Sequence, residues 1–158
     1  MGGQLQSRNA MNDQNQLRFN GSLWCNLDIA LRNLDQIYGQ VVEPLGLTVI
    51  EWYILRALYD QDGQHASELA RAVGRAATSF TPILDKLQDK GLIERRPDPA
   101  DRRAVRIYLT DQAHKNKDGV MNSAKQIDAQ IQKQVPNGDF KAFQNVLTLL
   151  QSIGQKVD

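Results

Sequence analysis

The stretch that decides the fold is "DKGLIERRPDPADRRAVRIYLT", residues 89–110. Its segments "LIERR" and "AVRIYLT" have the composition of two short strands, and in the second Val105, Ile107 and Leu109 recur at every other position. The segment "PDPADRR" between them holds two prolines that stiffen a tight connection. The stretch therefore predicts a β-hairpin with a charged tip.

Two predicted helices stand immediately before this hairpin. The segment "HASELARAVG" (65–74) indicates a short helix, and "RAATSFTPILDKLQDKG" (75–91) indicates a longer one with an apolar stripe. Only a few residues separate them, as in helix-turn-helix units. Pro82 is expected to bend the second helix or to make its first turn irregular, because a proline removes a backbone donor.

The rest of the chain is predicted to be helical. Apolar residues recur every three or four positions from Ser22 to "EPLG", which indicates a first helix. A second helix begins with a capping box of Thr48 and Glu51. This helix is apolar on nearly every side, which predicts that it is the buried centre of the domain. After the hairpin, Thr110 is a candidate N-cap for a further helix, and "PNG" (136–138) separates it from a last one.

Composition limits the class of protein. The 158 residues, 41% hydrophobic and 23% charged, fit one domain or one domain with an extension. No apolar run approaches the roughly 20 residues that span a bilayer, and no signal-peptide pattern opens the chain. The single cysteine, Cys25, cannot form an internal disulfide, so we expect a cytoplasmic protein without a membrane partner.

The sequence offers no candidate catalytic or metal site. Ser-His-Asp and Cys-His arrangements, phosphate-binding glycine loops and paired carboxylates are not recognisable, so we expect no enzyme. His65 and His114 are far apart and lack neighbouring cysteines or acids at metal-ligand spacing. We therefore expect neither a metal ion nor another cofactor.

Positive charge is concentrated in residues 71–106, although the net charge of the chain is only +1. The segment holds nine basic and five acidic residues, which gives +4. The basic residues are Arg71, Arg75, Lys86, Lys90, Arg95, Arg96, Arg102, Arg103 and Arg106. Such a patch favours a polyanionic partner, with a solvated charged face as the alternative.

Three segments, "LGLTVIEWYILRAL" (45–58), "SELARAVG" (67–74) and residues 81–110, resemble the multiple-antibiotic-resistance regulator (MarR) family of winged helix-turn-helix transcription factors. The resemblance implies a mainly α fold with a two- or three-stranded β wing and terminal dimerisation helices. We expect a winged helix-turn-helix domain at 46–110 and dimerisation regions at 21–45 and 111–158. The Gln/Asn-rich residues 1–20 are expected to form a flexible arm.

The resemblance also implies which residues bind double-stranded DNA. A recognition helix starting near Ala76 would present a set of side chains to the major groove and its flanking phosphates. This set comprises Arg75, Ala77, Thr78, Ser79 and Thr81. In the wing, Arg103 would enter the minor groove and Asp101 would brace the tip. Arg102 could take either a phosphate or the groove.

Apolar stripes on the terminal helices predict a homodimer, because one small winged domain cannot bury them all. A monomeric helical bundle is the alternative. In a dimer, two recognition helices would lie about one DNA turn, roughly 34 Å, apart, so the operator should be pseudo-palindromic.

The resemblance further implies a repressor that a small phenolic or aromatic effector releases from DNA. Trp24 and Trp52 could frame the cavity and Asp28 and Arg56 could supply its polar groups, with core packing of both tryptophans as the alternative. A redox-sensing regulator using Cys25 is a second hypothesis, although "TVIEW" stands where that branch of the family has a tyrosine-rich segment. A winged-helix module that binds protein is the third.

Overall fold

The computed structural model describes residues 17–76, 80–101 and 103–153. The chain divides into an amino-terminal unit ending at Ile37 and a second unit beginning at Tyr38, and each is described by itself. The helices are α1 (Leu23–Val42), α2 (Val49–Asp60), α3 (Ala66–Ala72), α4 (Thr81–Asp89), α5 (Asp111–Lys115), α6 (Lys117–Gln134) and α7 (Asn137–Ile153), with a 3-10 turn at Glu43–Leu45. The strands are β1 (Gln64–His65), β2 (Ile93–Pro97) and β3 (Val105–Leu109). The predicted fold class, mainly α with a small β wing, is confirmed.

The three strands form one antiparallel sheet in the order β1-β3-β2. The predicted hairpin is present, with Ile93 opposite Leu109 and Pro97 opposite Val105. Strand β1 pairs Gln64 with Ile107, which places the start of α3 against the hairpin. Two residues cannot display an alternating pattern, so periodicity did not indicate this strand, although the resemblance allowed for a third strand in the wing.

Helix α2 is the buried centre of the domain, as its all-round apolar character predicted. Trp52, Ile54, Leu55 and Leu58 are each at most 4% exposed. They belong to one core with side chains from every neighbouring element: Leu69, Leu84, Leu87, Ile93, Ile107, Leu109, Ala113 and Val120. The Trp52 indole N–H donates to Ser123 Oγ at 2.8 Å, so α6 is tied to this core.

The predicted capping box at the start of α2 is confirmed. The Glu51 carboxylate accepts from the Thr48 N–H at 2.7 Å, and Thr48 Oγ1 accepts from the Glu51 N–H at 3.4 Å. Lys90, just after α4, donates to Glu51 Oε2 at 2.7 Å and to the Gly46 carbonyl at 2.8 Å. Burial raises the pKa of Glu51, but the donors of Lys90 and Thr48 outweigh burial, so the pKa lies below its usual value. The cap therefore also fixes the end of α4.

Of the two alternatives predicted for Pro82, the bend inside the helix is wrong. Pro82 lies in the first turn of α4, which begins at Thr81, and there a proline removes no helical hydrogen bond. The other alternative, an irregular first turn in a helix starting near Ala76, falls mainly on residues 77–79, outside the described residues. The predicted single helix after Thr110 is two helices, because α5 ends before Asn116 and α6 begins after it. Thr110 is the N-cap as expected, accepting from the Ala113 N–H at 3.2 Å.

The last helix contributes no side chain to the buried core among those that the structure describes. It instead exposes a row of large apolar side chains: Phe143, Val146, Leu147, Leu149 and Ile153. The amino-terminal unit has its own exposed apolar side chains: Leu17, Phe19, Leu23, Trp24 and Leu31. Among the described helices, none is both long and apolar enough to cross a membrane.

Candidate nucleic-acid interface

We call the residues where the two strands meet their connection (95–98 and 106) the base of the hairpin, and the connection beyond them its tip. The base is organised around Asp98, a carboxylate only 4% exposed. Its Oδ1 accepts the Ala100 N–H at 2.7 Å, and its Oδ2 accepts from Arg106 Nε at 2.6 Å. The His65 Nε2 atom lies 3.0 Å from the same Oδ2. Arg106 also donates from Nη1 to the Gly63 carbonyl at 2.7 Å. Asp98 thus joins the connection between the strands to β3 and to β1.

The electrostatics of this site favour an ionised Asp98. The Ala100 N–H, followed by the Arg106 guanidinium, holds the pKa of the Asp98 carboxyl below its usual value against the opposing effect of burial. Sequence reasoning missed Asp98, Arg106 and His65 because their partners lie eight to 43 residues away. The only local signal was an acid between two prolines, in "PDP" (97–99).

The tip of the hairpin is held by backbone hydrogen bonds around Asp101. Its Oδ1 accepts the Arg103 N–H at 2.9 Å, and its carbonyl accepts the Ala104 N–H at 2.9 Å. The Arg103 side chain is exposed and has no hydrogen bond or ion pair within the described residues. Arg102 lies outside the described residues. Asp101 therefore orders the backbone of the tip, whereas Asp98 holds its base.

The basic residues of segment 71–106 fall into two groups. Four are occupied: Lys90 by Glu51, Arg95 by Asp85, Arg96 by Glu94, and Arg106 by Asp98. Four others are exposed and, within the part of the chain that the structure describes, have no ion pair: Arg71, Arg75, Lys86 and Arg103. The second group is the charge that remains for an external anion.

Within the described residues, the predicted recognition helix is helical from Thr81 onward, as α4. Thr81 is exposed in the first turn of α4, and Arg75 is exposed in the preceding coil. Ala77, Thr78 and Ser79 lie outside the described residues. The inner face of α4 is anchored by Leu84 and Leu87. Its outer face is tied to β2, because Arg95 donates to Asp85 Oδ1 at 2.6 Å and to Gln88 Oε1 at 2.7 Å. The helix and the hairpin are thereby held together.

A cleft of about 510 Å³ lies beside α2 in the second unit. Trp52 and Arg56, two of the four predicted effector residues, line it together with Tyr38, Tyr53, Asp60 and Asp128. Trp52 is also core packing with a satisfied N–H, as the alternative predicted. Arg56 donates to Met121 Sδ at 2.8 Å.

The other two predicted effector residues belong to the amino-terminal unit. Trp24 is 77% exposed, so the expectation that it is core packing was wrong. Asp28 pairs with Arg32 one helical turn later at 2.9 Å. Cys25 is partly buried, and its backbone N–H donates to Ser22 Oγ at 3.4 Å.

The described residues contain no group of three or more His, Cys, Asp or Glu side chains that could hold a metal ion. This observation covers residues 17–76, 80–101 and 103–153 only.

Comparison with known proteins connects this geometry to a family. The model of the MarR family matches residues 47–105. A MarR transcriptional regulator from Methanosarcina mazei Go1 has a similar structure, with a TM-score of 0.73, 24% identity, and coverage of 84% of this chain and 98% of that one. A cysteine-to-serine mutant of MarR from E. coli, solved with operator DNA, has a TM-score of 0.72 and 19% identity. The match covers 78% of this chain and 89% of that one.

A third similar structure is CouR from Rhodococcus jostii RHA1 bound to p-coumaroyl-CoA, with a TM-score of 0.70, 20% identity, and coverage of 79% and 88%. These structures share the fold over about four fifths of this chain, whereas the family model covers residues 47–105. The model of the MarR family therefore matches the part of the chain that holds α2, α3, α4 and the hairpin, and the solved structures show that the chain has their fold.

Proposed function

We propose that this protein is a dimeric repressor that binds a pseudo-palindromic operator and leaves it when a small aromatic effector binds. The observation that carries the proposal is that the Arg103 side chain, at the tip of the hairpin, has no ion pair among the described residues, whereas Arg95, Arg96 and Arg106 each have one. A free guanidinium on an ordered tip is suited to the negative potential of a narrow minor groove. The E. coli MarR mutant solved with operator DNA shares this fold.

The helix-turn-helix would supply the remaining DNA contacts. Arg75 and Thr81 are exposed on either side of the three predicted contact residues, Ala77, Thr78 and Ser79. Small and hydroxyl side chains allow close approach to base edges. Arg71 and Arg75, exposed and without an ion pair in the part of the chain that the structure describes, can neutralise phosphates. We place Arg102 at a phosphate or in the groove beside Arg103, with Asp101 ordering the tip for both.

Arg103→Ala tests the DNA-binding proposal. We expect operator binding to weaken by about 1–3 kcal/mol, with a smaller salt dependence, because one phosphate-directed or groove-directed charge is lost. The measurement is fluorescence anisotropy with an operator obtained by selection from random DNA, repeated between low and moderate salt. Arg18→Ala removes the same charge from an exposed site before α1, outside the proposed DNA-binding and dimerisation regions, and should change little.

Unchanged operator affinity in Arg103→Ala would contradict the assignment of the wing. Failure of the wild-type chain to select any DNA, at every salt concentration, would contradict the DNA-binding proposal itself and favour a protein-binding winged helix.

The dimer proposal is supported by the exposed apolar row on α7, because large apolar side chains at such a density mark association surfaces. Residues 21–45 and 111–158 are the proposed dimerisation regions, with 46–110 as the DNA-binding domain. Light scattering should give twice the 17.8 kDa mass of one chain. Leu149→Glu, at a side chain 61% exposed, should shift the mass toward the monomer. A wild-type monomer at micromolar concentration would contradict the proposal.

The cleft beside α2 is the proposed effector site. Three aromatic rings meet there, with centroids of Tyr38, Trp52 and Tyr53 within 5.2–6.0 Å of one another. Arg56 lies over Trp52, 5.8 Å from the ring centroid, and is the one cation among the lining residues. An aromatic acid would find a ring surface and a partner for its carboxylate.

Trp24→Phe leaves Trp52 as the single tryptophan and makes its fluorescence a probe of the cleft. Salicylate should quench this emission, and Arg56→Ala should weaken the response. Phenol, which lacks the carboxylate, serves as the matched ligand control and should be insensitive to Arg56→Ala. A flat response to salicylate would contradict an aromatic-acid effector at this site.

A further inference from the structure

Gln64 brings a polar atom without a partner to the cleft beside α2. The residue lines this cleft and is only 8% exposed. Its side-chain nitrogen donates to the Ala57 carbonyl at 3.0 Å and to the Gln61 carbonyl at 2.6 Å, so both N–H groups of the carboxamide are used. Among the described residues, none donates to the oxygen of the same group, Oε1, and every fully buried side-chain nitrogen or oxygen has a partner. Oε1 therefore opens to the cleft and can accept a hydrogen bond from a bound molecule.

The cleft also carries more negative than positive charge. Asp60, at the end of α2, and Asp128, on α6, both line it. Within the part of the chain that the structure describes, neither carboxylate has an ion pair or a side-chain hydrogen bond. Arg56 is the one cation among the described lining residues, which leaves an excess of one negative charge. A ligand that brings only a carboxylate would increase this excess, whereas an ammonium group would compensate it.

Arg56 and Asp60 are neighbours on α2 that do not pair with each other. Four positions separate them, so they lie on one face of the helix with Cβ atoms about 6 Å apart. Asp28 and Arg32 have the same separation on α1 and do form an ion pair, at 2.9 Å. Arg56 donates instead to Met121 Sδ, a weak acceptor that a carboxylate can replace. A cation and a carboxylate are thus available side by side to a ligand.

The aromatic rings of the cleft suit a ligand that has both a ring and a positive charge. Tyr38 and Tyr53 stack with centroids 6.0 Å apart, and Trp52 meets each of them edge-on. Ring faces attract cations, and the Arg56 guanidinium already lies 5.8 Å from the Trp52 centroid. A ligand ring can pack on the same apolar surfaces.

We propose that the effector is an aromatic amino acid or a close analogue, with its carboxylate on Arg56 and its ammonium group among the acceptors of Asp60, Asp128 and Gln64. This inference rests on the proposed function of the cleft, and it adds the ammonium group to the aromatic acid proposed there. An ammonium group has three N–H donors, and the cleft offers it three acceptor groups. The carboxylate and the ammonium of an α-amino acid share one carbon atom, which fits the neighbouring positions of Arg56 and Asp60 on α2.

Three ligands with one skeleton test the proposal without a change to the cleft. Phenylalanine carries both charged groups, 3-phenylpropanoate carries only the carboxylate, and 2-phenylethylamine carries only the ammonium. Their dissociation constants are measured from the emission of Trp52 in the Trp24→Phe protein. We expect phenylalanine to bind about tenfold more tightly than 3-phenylpropanoate, because each exposed ion pair contributes up to about fivefold. It should also bind more tightly than 2-phenylethylamine.

Two isosteric variants then locate the ammonium group. Asp60→Asn and Asp128→Asn should each weaken the binding of phenylalanine by about threefold and leave the binding of 3-phenylpropanoate at least as tight. The matched control is Asp118→Asn, at an exposed position of α6 outside the cleft lining. It should change neither dissociation constant.

The outcomes separate this inference from the proposed function. Equal affinities for phenylalanine and 3-phenylpropanoate would overturn the inference and leave the aromatic-acid site in place. A preference for phenylalanine that survives undiminished in both Asp60→Asn and Asp128→Asn would overturn it as well. If neither salicylate nor any of the three ligands changes the emission of Trp52, the proposed effector site is wrong and the inference fails with it.

Discussion

The base and the tip of the β2–β3 hairpin both carry arginines, which differ in whether a carboxylate pairs with them. At the base, the Arg95, Arg96 and Arg106 guanidinium groups each meet a carboxylate. At the tip, Arg103 is exposed, its backbone N–H donates to Asp101, and its side chain has no ion pair within residues 17–76, 80–101 and 103–153. The arginines at the base hold the hairpin in shape, and the arginine at the tip remains available for a partner. Charge counting alone cannot make this distinction.

The largest expected effect is a difference between two variants: Arg106→Ala should lower the stability of the fold, whereas Arg103→Ala should weaken DNA binding and leave stability almost unchanged. Arg106→Ala leaves the buried Asp98 carboxylate without its guanidinium partner, and hydrogen bonds to charged groups contribute about 1.5–3 kcal/mol. Arg103→Ala should change the free energy of unfolding by less than about 0.5 kcal/mol. Urea denaturation of the two variants measures both values. Equal losses would contradict the division of the hairpin into base and tip.

Gly63→Ala tests how closely the base is packed. Gly63 has φ +72°, and an added Cβ would lie 2.7 Å from the Tyr108 ring. We expect a loss of about 2 kcal/mol in the free energy of unfolding, combining left-handed backbone strain with the clash.

Gly46→Ala is the matched control, because Gly46 has φ +69° and nothing within 4 Å of the added Cβ. It should lose only the backbone part, about 1 kcal/mol. If both glycine variants were equally stable, the contact with Tyr108 would contribute nothing.

Acid should weaken the base of the hairpin, because it protonates the Asp98 carboxylate. The folded-state pKa of Asp98 is lowered, so its contribution to stability is present above the unfolded-state value of about 3.9 and is lost as pH falls through the folded-state pKa. The melting temperature of wild type should therefore fall as pH is lowered from about 5 toward 3. Asp98→Asn should start lower at neutral pH and show a flatter curve. Parallel curves for the two proteins would argue against Asp98 as the centre of the base.

Arg96→Ala should have the smallest effect of the base arginines. Its partners are the exposed Glu94 carboxylate and the Tyr108 ring, whose centroid lies 4.7 Å from the guanidinium carbon. Exposed ion pairs and cation–π contacts each contribute up to about 1 kcal/mol, so we expect a loss below about 1 kcal/mol by urea denaturation. A loss as large as that of Arg106→Ala would show that exposure does not rank these arginines.

The sequence predicted the features whose causes are local. Alternation of Val105, Ile107 and Leu109 identified β3, and the caps at Thr48 and Thr110 identified two helix starts, because each signal lies within a few residues. Arg103 was singled out by resemblance to a family motif, and its role stays a prediction.

Features that depend on distant partners were not predictable. Strand β1 forms because it pairs with β3, which begins 40 residues after β1 ends. In the sequence Asp98 has the character of a solvated hairpin charge, because its partners Arg106 and His65 are brought to it only by the fold. Trp24 was misjudged because its apolar surface suggested a core position, whereas its ring is exposed. Burial of a single residue is decided by the assembled fold and not by its neighbours in sequence.

Strand β2 lies at an edge of the sheet, and its composition has a consequence for how the protein behaves at high concentration. A flat apolar edge strand would recruit strands from other molecules and seed fibrils. Glu94, Arg95 and Arg96 place charges along this edge, and Pro97 offers no backbone donor at its end. The same residues that shape the wing thus protect the protein from aggregation through its sheet.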